Sequence, residues 1–273
     1  MKCFIFGFGQ VCKLLAQELY KQKCEIIIVS RESQQYLGLS FKKISFFNDN
    51  NLDFSNSILI STIPPIQKNK DFIIENVPNT VLKKFKRIVY ISSTSVYQSG
   101  YVDETTKPKP LTEMGINRLN IEKKWQKINK DLVIIRPSGI YSNTNNLLTR
   151  YLKSDHKIIV KEDHFTNRIH IDDLVGIILK IISIKKFIGI INASDSYFLD
   201  NFKLINQLSG KYFLPKPQKI FYNKKIVSKK LQLFYEVSKK VYSKRLNKEL
   251  SYSLKYPKFD DFLDSLLRKN NNE

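Results

Sequence analysis

The sequence predicts an α/β protein with a parallel, doubly wound sheet and a smaller lobe at its carboxyl-terminal side. Strand–helix alternation is typical of a parallel sheet with helices on both faces. Between the first two strands, Val11, Leu14, Leu15 and Leu19 recur at helical spacing, so one stripe of that helix should pack on the sheet. The predicted strands are residues 2–6, 25–30, 43–47, 58–62, 87–92 and 132–137.

A glycine turn joins the first strand to the first helix, which should begin near Gly9. Strand, Gly7-Phe8-Gly9 and helix follow one another directly. In this context Gly7 permits a tight turn, and Gly9 lets the backbone approach a pyrophosphate that the amino-terminal end of the helix favours. The turn, with Gln10 and Val11 after it, therefore predicts an NAD(P)-binding Rossmann unit. Cys12 replaces the usual third glycine, and it is small enough to pack helix against strand.

The end of the second predicted strand indicates which dinucleotide is preferred. NAD-specific sites carry an acidic residue there, whereas this chain continues from Val29 into Ser30 and Arg31, with Glu32 behind them. Arg31 could pair with a 2′-phosphate, and Ser30 could donate a further hydrogen bond. NADP(H) is therefore favoured over NAD(H), with a plain surface role for Arg31 as the alternative.

The later segments complete the predicted organisation. Residues 172–184 predict a helix and residues 189–195 a final strand, while three segments should gather at the carboxyl edge of the sheet, where open α/β sheets bind ligands. These are residues 98–112, 141–170 and 196–254. We predict an NAD(P)-binding Rossmann domain over residues 1–140, a mixed region with the final sheet elements and a substrate lobe over 141–267, and a polar tail over 268–273.

Composition narrows the class of protein. No apolar stretch approaches the roughly 20 residues that span a bilayer, and no secretory signal pattern is present, so a cytoplasmic protein without membrane partners is expected. The three cysteines, Cys3, Cys12 and Cys24, lack metal-ligand spacing and are interpreted as reduced packing residues.

The net charge of +21 invites a nucleic-acid interpretation. However, the lysine excess runs along the whole chain, and only residues 216–248 are visibly denser in Lys and Arg. We interpret it as a solvated surface. Nucleic acid is thus an unlikely partner, and an anionic or polar small-molecule substrate fits the charge equally well. The oligomeric state is left open.

Several motifs together resemble the extended and atypical short-chain dehydrogenase/reductases, the NAD-dependent epimerase/dehydratase-like proteins. Their order and spacing extend over nearly the whole chain. They are residues 91–97 (ISSTSVY), 102–104 (VDE), 113–122 (EMGINRLNIE), 136–141 (RPSGIY), 168–173 (RIHIDD), 191–195 (INASD) and 243–245 (SKR).

The resemblance implies a catalytic Ser or Thr after the fifth strand and a Tyr-x-x-x-Lys pair on the next helix. Ser93 matches the first position, but the Tyr position holds Met114 and the Lys position holds Arg118. A thioether exchanges no proton, and a guanidinium is a poor proton relay although it still binds ribose or phosphate. Tyr97, Tyr101 or Tyr141 could replace the missing acid, although aromatic residues there are more often packing or substrate-wall residues.

Two histidines suggest a metal site that the spacing does not favour. His164 and His170 lie near three carboxylates, but in no usual ligand pattern, so no metal is expected. The carboxylates are Asp163, Asp172 and Asp173. His170 is instead interpreted as a hydrogen-bonded interface residue, and Asp172 or Asp173 as a helix N-cap.

Three functions remain in competition at this point. The first is an NADP(H)-dependent oxidoreductase or epimerase-like enzyme acting on a polar, nucleotide-sugar-like substrate, with Ser93 as hydrogen-bond donor and Arg118 orienting the ribose. The second is a dinucleotide-binding sensor or structural module without turnover, which Met114 favours. The third is nucleic-acid binding through residues 216–248.

Overall fold

The computed structural model describes residues 1–32, 34–48, 52–66, 69–184 and 186–270. Its strands are β1 Lys2–Phe6, β2 Glu25–Val29, β3 Ser40–Lys42, β4 Ser57–Ser61, β5 Arg87–Ile91, β6 Gly100–Val102, β7 Val133–Pro137, β8 Gly139–Tyr141, β9 Lys157–Val160, β10 Arg168–His170, β11 Gly189–Ala193, β12 Gln218–Phe221 and β13 Lys239–Val241. Its α-helices are α1 Gln10–Lys21, α2 Phe72–Asn76, α3 Asn79–Leu82, α4 Glu113–Ile128, α5 Leu147–Leu152, α6 Ile171–Ser183, α7 Asn201–Lys211, α8 Lys229–Glu236, α9 Lys244–Lys248 and α10 Phe259–Asn270. Two 3-10 helices cover Ile44–Asn48 and Thr94–Val96.

A seven-stranded parallel sheet forms the centre, in the order β11-β7-β5-β4-β1-β2-β3. The chain builds outward from β1 to β3 and then crosses to β4 on the other side of β1. This reversal opens a crevice beyond the carboxyl ends of β1 and β4, where such sheets bind ligands. The predicted Rossmann-type α/β class is confirmed.

Helices cover both faces of the sheet. On one face, α1 buries Cys12, Leu15 and Leu19 in a core that α6 completes. On the other, α2, α3 and α4 pack over Phe4 and Tyr90 of the sheet. The apolar stripe predicted for α1 therefore lies against the strands, and Gly9 is its N-cap as expected.

The strand predicted at residues 43–47 is wrong. The third strand is β3, and the following residues form a 3-10 helix. A strand would send Phe46 and Phe47 to opposite faces of the sheet. The 3-10 helix instead brings both rings to Phe4, with centroids 6.3 and 5.6 Å from it. Burial of two aromatic rings on one face thus outweighs strand propensity here.

The carboxyl-terminal lobe, defined here as the described elements from β8 onward apart from α6 and β11, has its own apolar core. Tyr141, Tyr151 and Leu204 pack there with Phe259 and Phe262. Strand pairs join the three segments predicted to gather at the carboxyl edge, because β6 pairs with β13 and β9 with β12. The division at residue 140 remains a prediction.

The N-cap of α6 differs from the prediction. His170 is the cap, and its Nδ1 accepts a hydrogen bond from the backbone N–H of Asp172 at 3.1 Å. The carboxylate of Asp173 instead accepts the N–H of Lys255 at 2.6 Å, so it fixes the chain leading to α10. Asp172 and Asp173 lie in the first turn of α6, and neither caps it.

The first half of the predicted tail, residues 268–270, is helical. α10 continues through Asn270, and residues 271–273 lie outside the described part of the chain. No helix in the described ranges is long and apolar enough to cross a membrane.

Candidate cofactor and active site

The turn after β1 requires glycine at its first position. Gly7 has a φ of +98°, in the left-handed region that favours glycine. A Cβ there would lie 2.8 Å from Oγ1 of Thr62, which itself donates a hydrogen bond to the carbonyl of Phe6 at 2.8 Å. The ends of β1 and β4 thus meet directly beneath the turn.

Gly9 faces open space at the start of α1. Among the described residues, a Cβ built on Gly9 meets no atom within 4 Å, and no side chain caps the helix. The first intrahelical bond runs from Lys13 N to Gly9 O, so the N–H groups of Gln10, Val11 and Cys12 have no backbone acceptor in the described part of the chain. Free N–H groups and the positive end of the helix dipole form a cradle for an anion. These residues fit the pyrophosphate of a dinucleotide.

Cys12 packs where the third glycine of the motif would stand. Its side chain is fully buried in the core between α1 and the sheet. Burial raises the pKa of the thiol to about 12, which keeps it neutral. Its role is therefore packing, as the sequence predicts.

Ser30 and Arg31 lie directly after β2, at the same edge of the sheet as Gly9. The Ser30 hydroxyl donates to the backbone carbonyl of Glu32, so its proton is already engaged within the chain. Arg31 is exposed and forms no ion pair with the described residues. Of these two side chains, Arg31 is therefore the one free to meet a phosphate.

Ser93 and the Arg118 guanidinium both lie at the carboxyl end of β5, and Met114 is on the same helix as Arg118. Ser93 follows that strand and accepts a hydrogen bond from the N–H of Ser95 at 3.1 Å. Arg118 donates from Nη1 to the carbonyl of Ile91, two residues before Ser93, at 3.1 Å. Met114 lies one turn earlier on α4 and is 59% exposed. Helix α4 thus keeps the expected four-residue spacing, with Met114 and Arg118 in place of the usual Tyr and Lys.

A close backbone approach holds α4 against the Ser93 loop, defined here as residues 93–97. A Cβ added to Gly115 would overlap the carbonyl oxygen of Ser95. Thr112 caps the helix, because its Oγ1 accepts the N–H of Gly115 at 3.2 Å. The residue next to Met114 is therefore packed tightly against the loop that carries Ser93.

A buried polar network lies behind these residues. Glu122 on α4 and Arg136 on β7 form a bidentate ion pair, with 3.0 Å from Nε to Oε1 and 2.6 Å from Nη2 to Oε2. Glu122 also accepts the hydroxyl of Ser92 at 2.5 Å. Arg136 donates to the hydroxyl of Tyr97 at 2.8 Å, which in turn donates to Asn192 at 3.0 Å. The network ties α4 to the ends of β5, β7 and β11.

Glu122→Gln should lower the free energy of unfolding by about 3 kcal/mol, because it leaves the buried guanidinium of Arg136 without its counter-charge. Chemical denaturation would measure the change. Glu113→Gln, on the exposed start of the same helix, is the control and should shift stability by less than about 0.5 kcal/mol. Equal, small effects of both substitutions would contradict a structural role for the ion pair.

Solved structures match this fold along nearly the whole chain. A functionally unknown conserved protein from Silicibacter pomeroyi DSS has a TM-score of 0.85 at 23% identity, with 98% of both chains covered. A human epimerase family protein with NADPH has a TM-score of 0.76 at 16% identity, covering 97% of this chain and 98% of that one. UDP-glucuronic acid 4-epimerase from Bacillus cereus, in complex with NAD, has a TM-score of 0.67 at 19% identity, covering 93% and 92%.

The chain has the extended short-chain dehydrogenase/reductase fold. At these identities the likeness concerns the fold alone. No protein-family model and no curated protein matches the sequence. Within this fold, the Gly7–Gly9 turn and the Ser93 loop lie at the carboxyl edge of the sheet, on either side of the strand end at Thr62.

The three alternative tyrosines differ in environment within this fold. Tyr97 is buried with both hydrogen-bonding directions of its hydroxyl used by the network, and burial raises its pKa. Tyr141 is buried in the core of the carboxyl-terminal lobe, where burial also raises its pKa. Tyr101 is 67% exposed and lies against Lys240 and Tyr242. Burial keeps the first two hydroxyls protonated, which disfavours them as acid/base groups at neutral pH.

Both histidines have structural contacts. The Nε2 of His164 lies 3.0 Å from the carbonyl of Phe234, and burial lowers its pKa. His170 packs between aromatic rings of the carboxyl-terminal lobe, and burial lowers its pKa to about 4. No cluster of three potential metal ligands occurs among the described residues.

Sequence reasoning missed two residues near the site. Thr62 lies under Gly7, and its position after β4 was a usable signal because the carboxyl ends of neighbouring parallel strands meet at one edge. Lys239 reaches the Ser93 loop from β13, with Nζ 2.8 Å from the carbonyl of Thr94. No pattern in the sequence distinguishes this lysine from its many neighbours.

Proposed function

We propose that the protein binds NADP(H) at the Gly7–Gly9 turn and is an epimerase/dehydratase-like oxidoreductase. Its substrate class is a nucleotide-sugar-like molecule or another polar compound with a carbonyl or hydroxyl group. The observation that carries the proposal is the uncapped amino terminus of α1 beside Gly9, at the crevice between β1 and β4. Structural neighbours with NAD and with NADPH support a nicotinamide dinucleotide.

Each residue of the site has a distinct role in this proposal. The N–H groups of Gln10 and Val11 bind the pyrophosphate. Ser93 donates a hydrogen bond to the reacting substrate oxygen, and Arg118 orients the nicotinamide ribose as a fixed positive charge. The bound dinucleotide supplies or accepts the hydride. Neither Met114 nor Arg118 exchanges a proton, so any proton transfer has to use another group or water.

The proposed preference for NADP(H) depends on Arg31. Arg31→Glu should weaken NADPH binding by roughly 10- to 100-fold, or about 1.4–2.8 kcal/mol, because it removes a charge-assisted bond to the 2′-phosphate and adds repulsion. NADH binding should change much less. Nicotinamide fluorescence titrations measure both affinities.

Lys86→Glu is the matched control for this charge reversal. Lys86 is exposed and precedes β5, at the amino-terminal edge of the sheet, far from the turn. It should leave both affinities within about twofold, since exposed charges at that distance are screened. Equal losses for NADPH and NADH in Arg31→Glu would show that Arg31 does not recognise the 2′-phosphate.

A second candidate function is a dinucleotide-binding sensor or structural module without turnover. The exposed thioether of Met114 at the Tyr position favours it. A fluorescence titration with NADPH and NADH, followed by a turnover screen on carbonyl and nucleotide-sugar compounds, separates the two functions. Turnover supports the enzyme, and tight binding without turnover supports the module. Failure of both cofactors to bind would contradict both candidates.

A further inference from the structure

Lys239 of β13 inserts its ammonium group into the Ser93 loop. Its Nζ donates to the carbonyl of Thr94 at 2.8 Å and lies 3.5 Å from that of Tyr97. Asn167 holds the backbone in place, since its Nδ2 donates to the Lys239 carbonyl at 2.7 Å and its Oδ1 accepts the N–H of Val241 at 2.8 Å. A strand far along the chain therefore places a positive charge one residue from Ser93.

No carboxylate neutralises this charge. Lys239 is partly buried, and it forms no ion pair with any residue in the described ranges. Lys244, five residues later, pairs with Asp103. Desolvation lowers the pKa of Lys239 to about 8, with no contribution from a charged neighbour. An ammonium held away from water without a counter-ion is costly, and an anion beside it would offset that cost.

Unused hydrogen-bond donors lie at the same loop, on the Lys239 ammonium and on serine hydroxyls. An ammonium has three donors, and the two carbonyls account for at most two of them. Ser93 Oγ accepts the N–H of Ser95, which leaves its one hydroxyl hydrogen for the reacting oxygen of the substrate. The Oγ of Ser95 is buried and has no hydrogen-bond partner among the described residues. A buried hydroxyl without a partner, in the loop that the unpaired ammonium contacts, suits an oxyanion.

We propose that Lys239, with the hydroxyl of Ser95, forms a subsite for an anionic group of the substrate, such as a carboxylate, sulfate or phosphate. The subsite deepens the proposed function and rests on it, because it places the charged group of the substrate beside Ser93. It is separate from the cofactor cradle, since it lies after β5 rather than after β1.

Sulfate is the test probe, because its charge is constant between pH 7 and 11 and it resembles each of the proposed groups. Calorimetric titration at constant ionic strength, with and without saturating NADPH, should detect binding to the wild-type protein in both states. Lys239→Met should weaken it by roughly tenfold or more, because the charge-assisted bonds are lost. Lys239→Arg should retain most of it.

Lys240→Met is the matched control on the same strand. Lys240 donates to the hydroxyl of Tyr101 at 3.0 Å and lies over the ring of Phe165, away from the Ser93 loop. This variant should bind sulfate within about twofold of the wild-type protein. NADPH affinity and melting temperature, measured on every variant, report whether the fold is intact.

A pH series keeps the test decisive if Lys239→Met fails to fold. Lysine binds an anion when protonated, so wild-type affinity for sulfate should fall as the pH rises through about 8. Lys239→Arg should show no such fall, because a guanidinium stays protonated over this range. A wild-type affinity that stays constant up to about pH 11, above the ordinary lysine pKa of about 10.4, would overturn the proposal.

The remaining outcomes separate the subsite from the proposed function. Unchanged sulfate binding in Lys239→Met, or none in the wild-type protein, overturns the subsite, while normal NADPH binding leaves the proposed function standing. Conversely, Lys239-dependent sulfate binding in a protein that binds neither NADPH nor NADH supports the subsite and overturns the proposed cofactor.

Discussion

Gly9→Asp should abolish NADPH binding, with a loss of more than about a thousandfold, and leave the fold intact. The new carboxylate would occupy the space that the pyrophosphate needs, and it would replace several charge-assisted hydrogen bonds by repulsion, at about 1.5–3 kcal/mol for each bond. The first added atom has room in the protein itself, since a Cβ at Gly9 has no neighbour within 4 Å among the described residues.

The same substitution should preserve or raise the stability of the apoprotein. Gly9 is the N-cap of α1, no side chain caps that helix, and its first turn holds no acidic residue. Aspartate is among the preferred N-cap residues, and a carboxylate at this end also favours the helix dipole. The melting temperature should therefore be unchanged or slightly higher while fluorescence titration detects no NADPH binding.

Gly210→Asp is the control for introducing the same side chain. Gly210 is exposed in α7, and a Cβ there also meets nothing within 4 Å. This variant should bind NADPH with wild-type affinity. If Gly9→Asp binds NADPH equally well, the dinucleotide does not lie on the α1 amino terminus, and the proposed cofactor site is wrong.

Local pattern explains why most of the fold was predictable. Fully buried parallel strands read as short apolar runs, and β1, β2, β4, β5 and β7 were predicted to within one or two residues at each end. The run at residues 43–47 has the same composition but folds otherwise, because Phe46 and Phe47 both contact Phe4. That choice depends on tertiary packing, which one segment of sequence does not reveal.

The candidate site also has a part that the sequence predicts and a part that it does not. Gly7 and Gly9 are predictable because strand, turn and helix are consecutive, so their geometry is local. Lys239 is not, because its contact with Thr94 joins residues 145 positions apart. The predicted N-cap of α6 is wrong for a related reason, because the Asp173 carboxylate accepts a hydrogen bond from the distant N–H of Lys255.

Met114→Tyr combined with Arg118→Lys should create or increase carbonyl reduction by NADPH, by roughly 10²–10⁴-fold, the range of general acid catalysis. The two positions lie four residues apart on α4, so both side chains lie on one face of the helix. Met114 is largely exposed, which leaves room for a phenol. NADPH oxidation followed at 340 nm with a panel of carbonyl compounds measures the gain.

Only the double variant should gain this activity. A tyrosine hydroxyl has a pKa of about 10, and a nearby ammonium is needed to bring it towards neutrality. Ile116→Tyr with Arg118→Lys is the matched control, because Ile116 is also exposed on α4 but lies two residues further on, at about 200° around the helix from Met114. That control should remain at the wild-type level.

The packing around Met114 determines whether the new hydroxyl reaches the substrate. Gly115 holds this part of α4 against the carbonyl of Ser95, so the backbone at position 114 lies next to the loop that carries Ser93. Robust wild-type turnover that survives Met114→Ala but disappears in Tyr97→Phe or Tyr141→Phe would contradict this account, because the proton would then come from another loop. If the double variant gains nothing and NADPH still binds tightly, the missing tyrosine is not what limits the protein, and the binding module becomes the better description of its function.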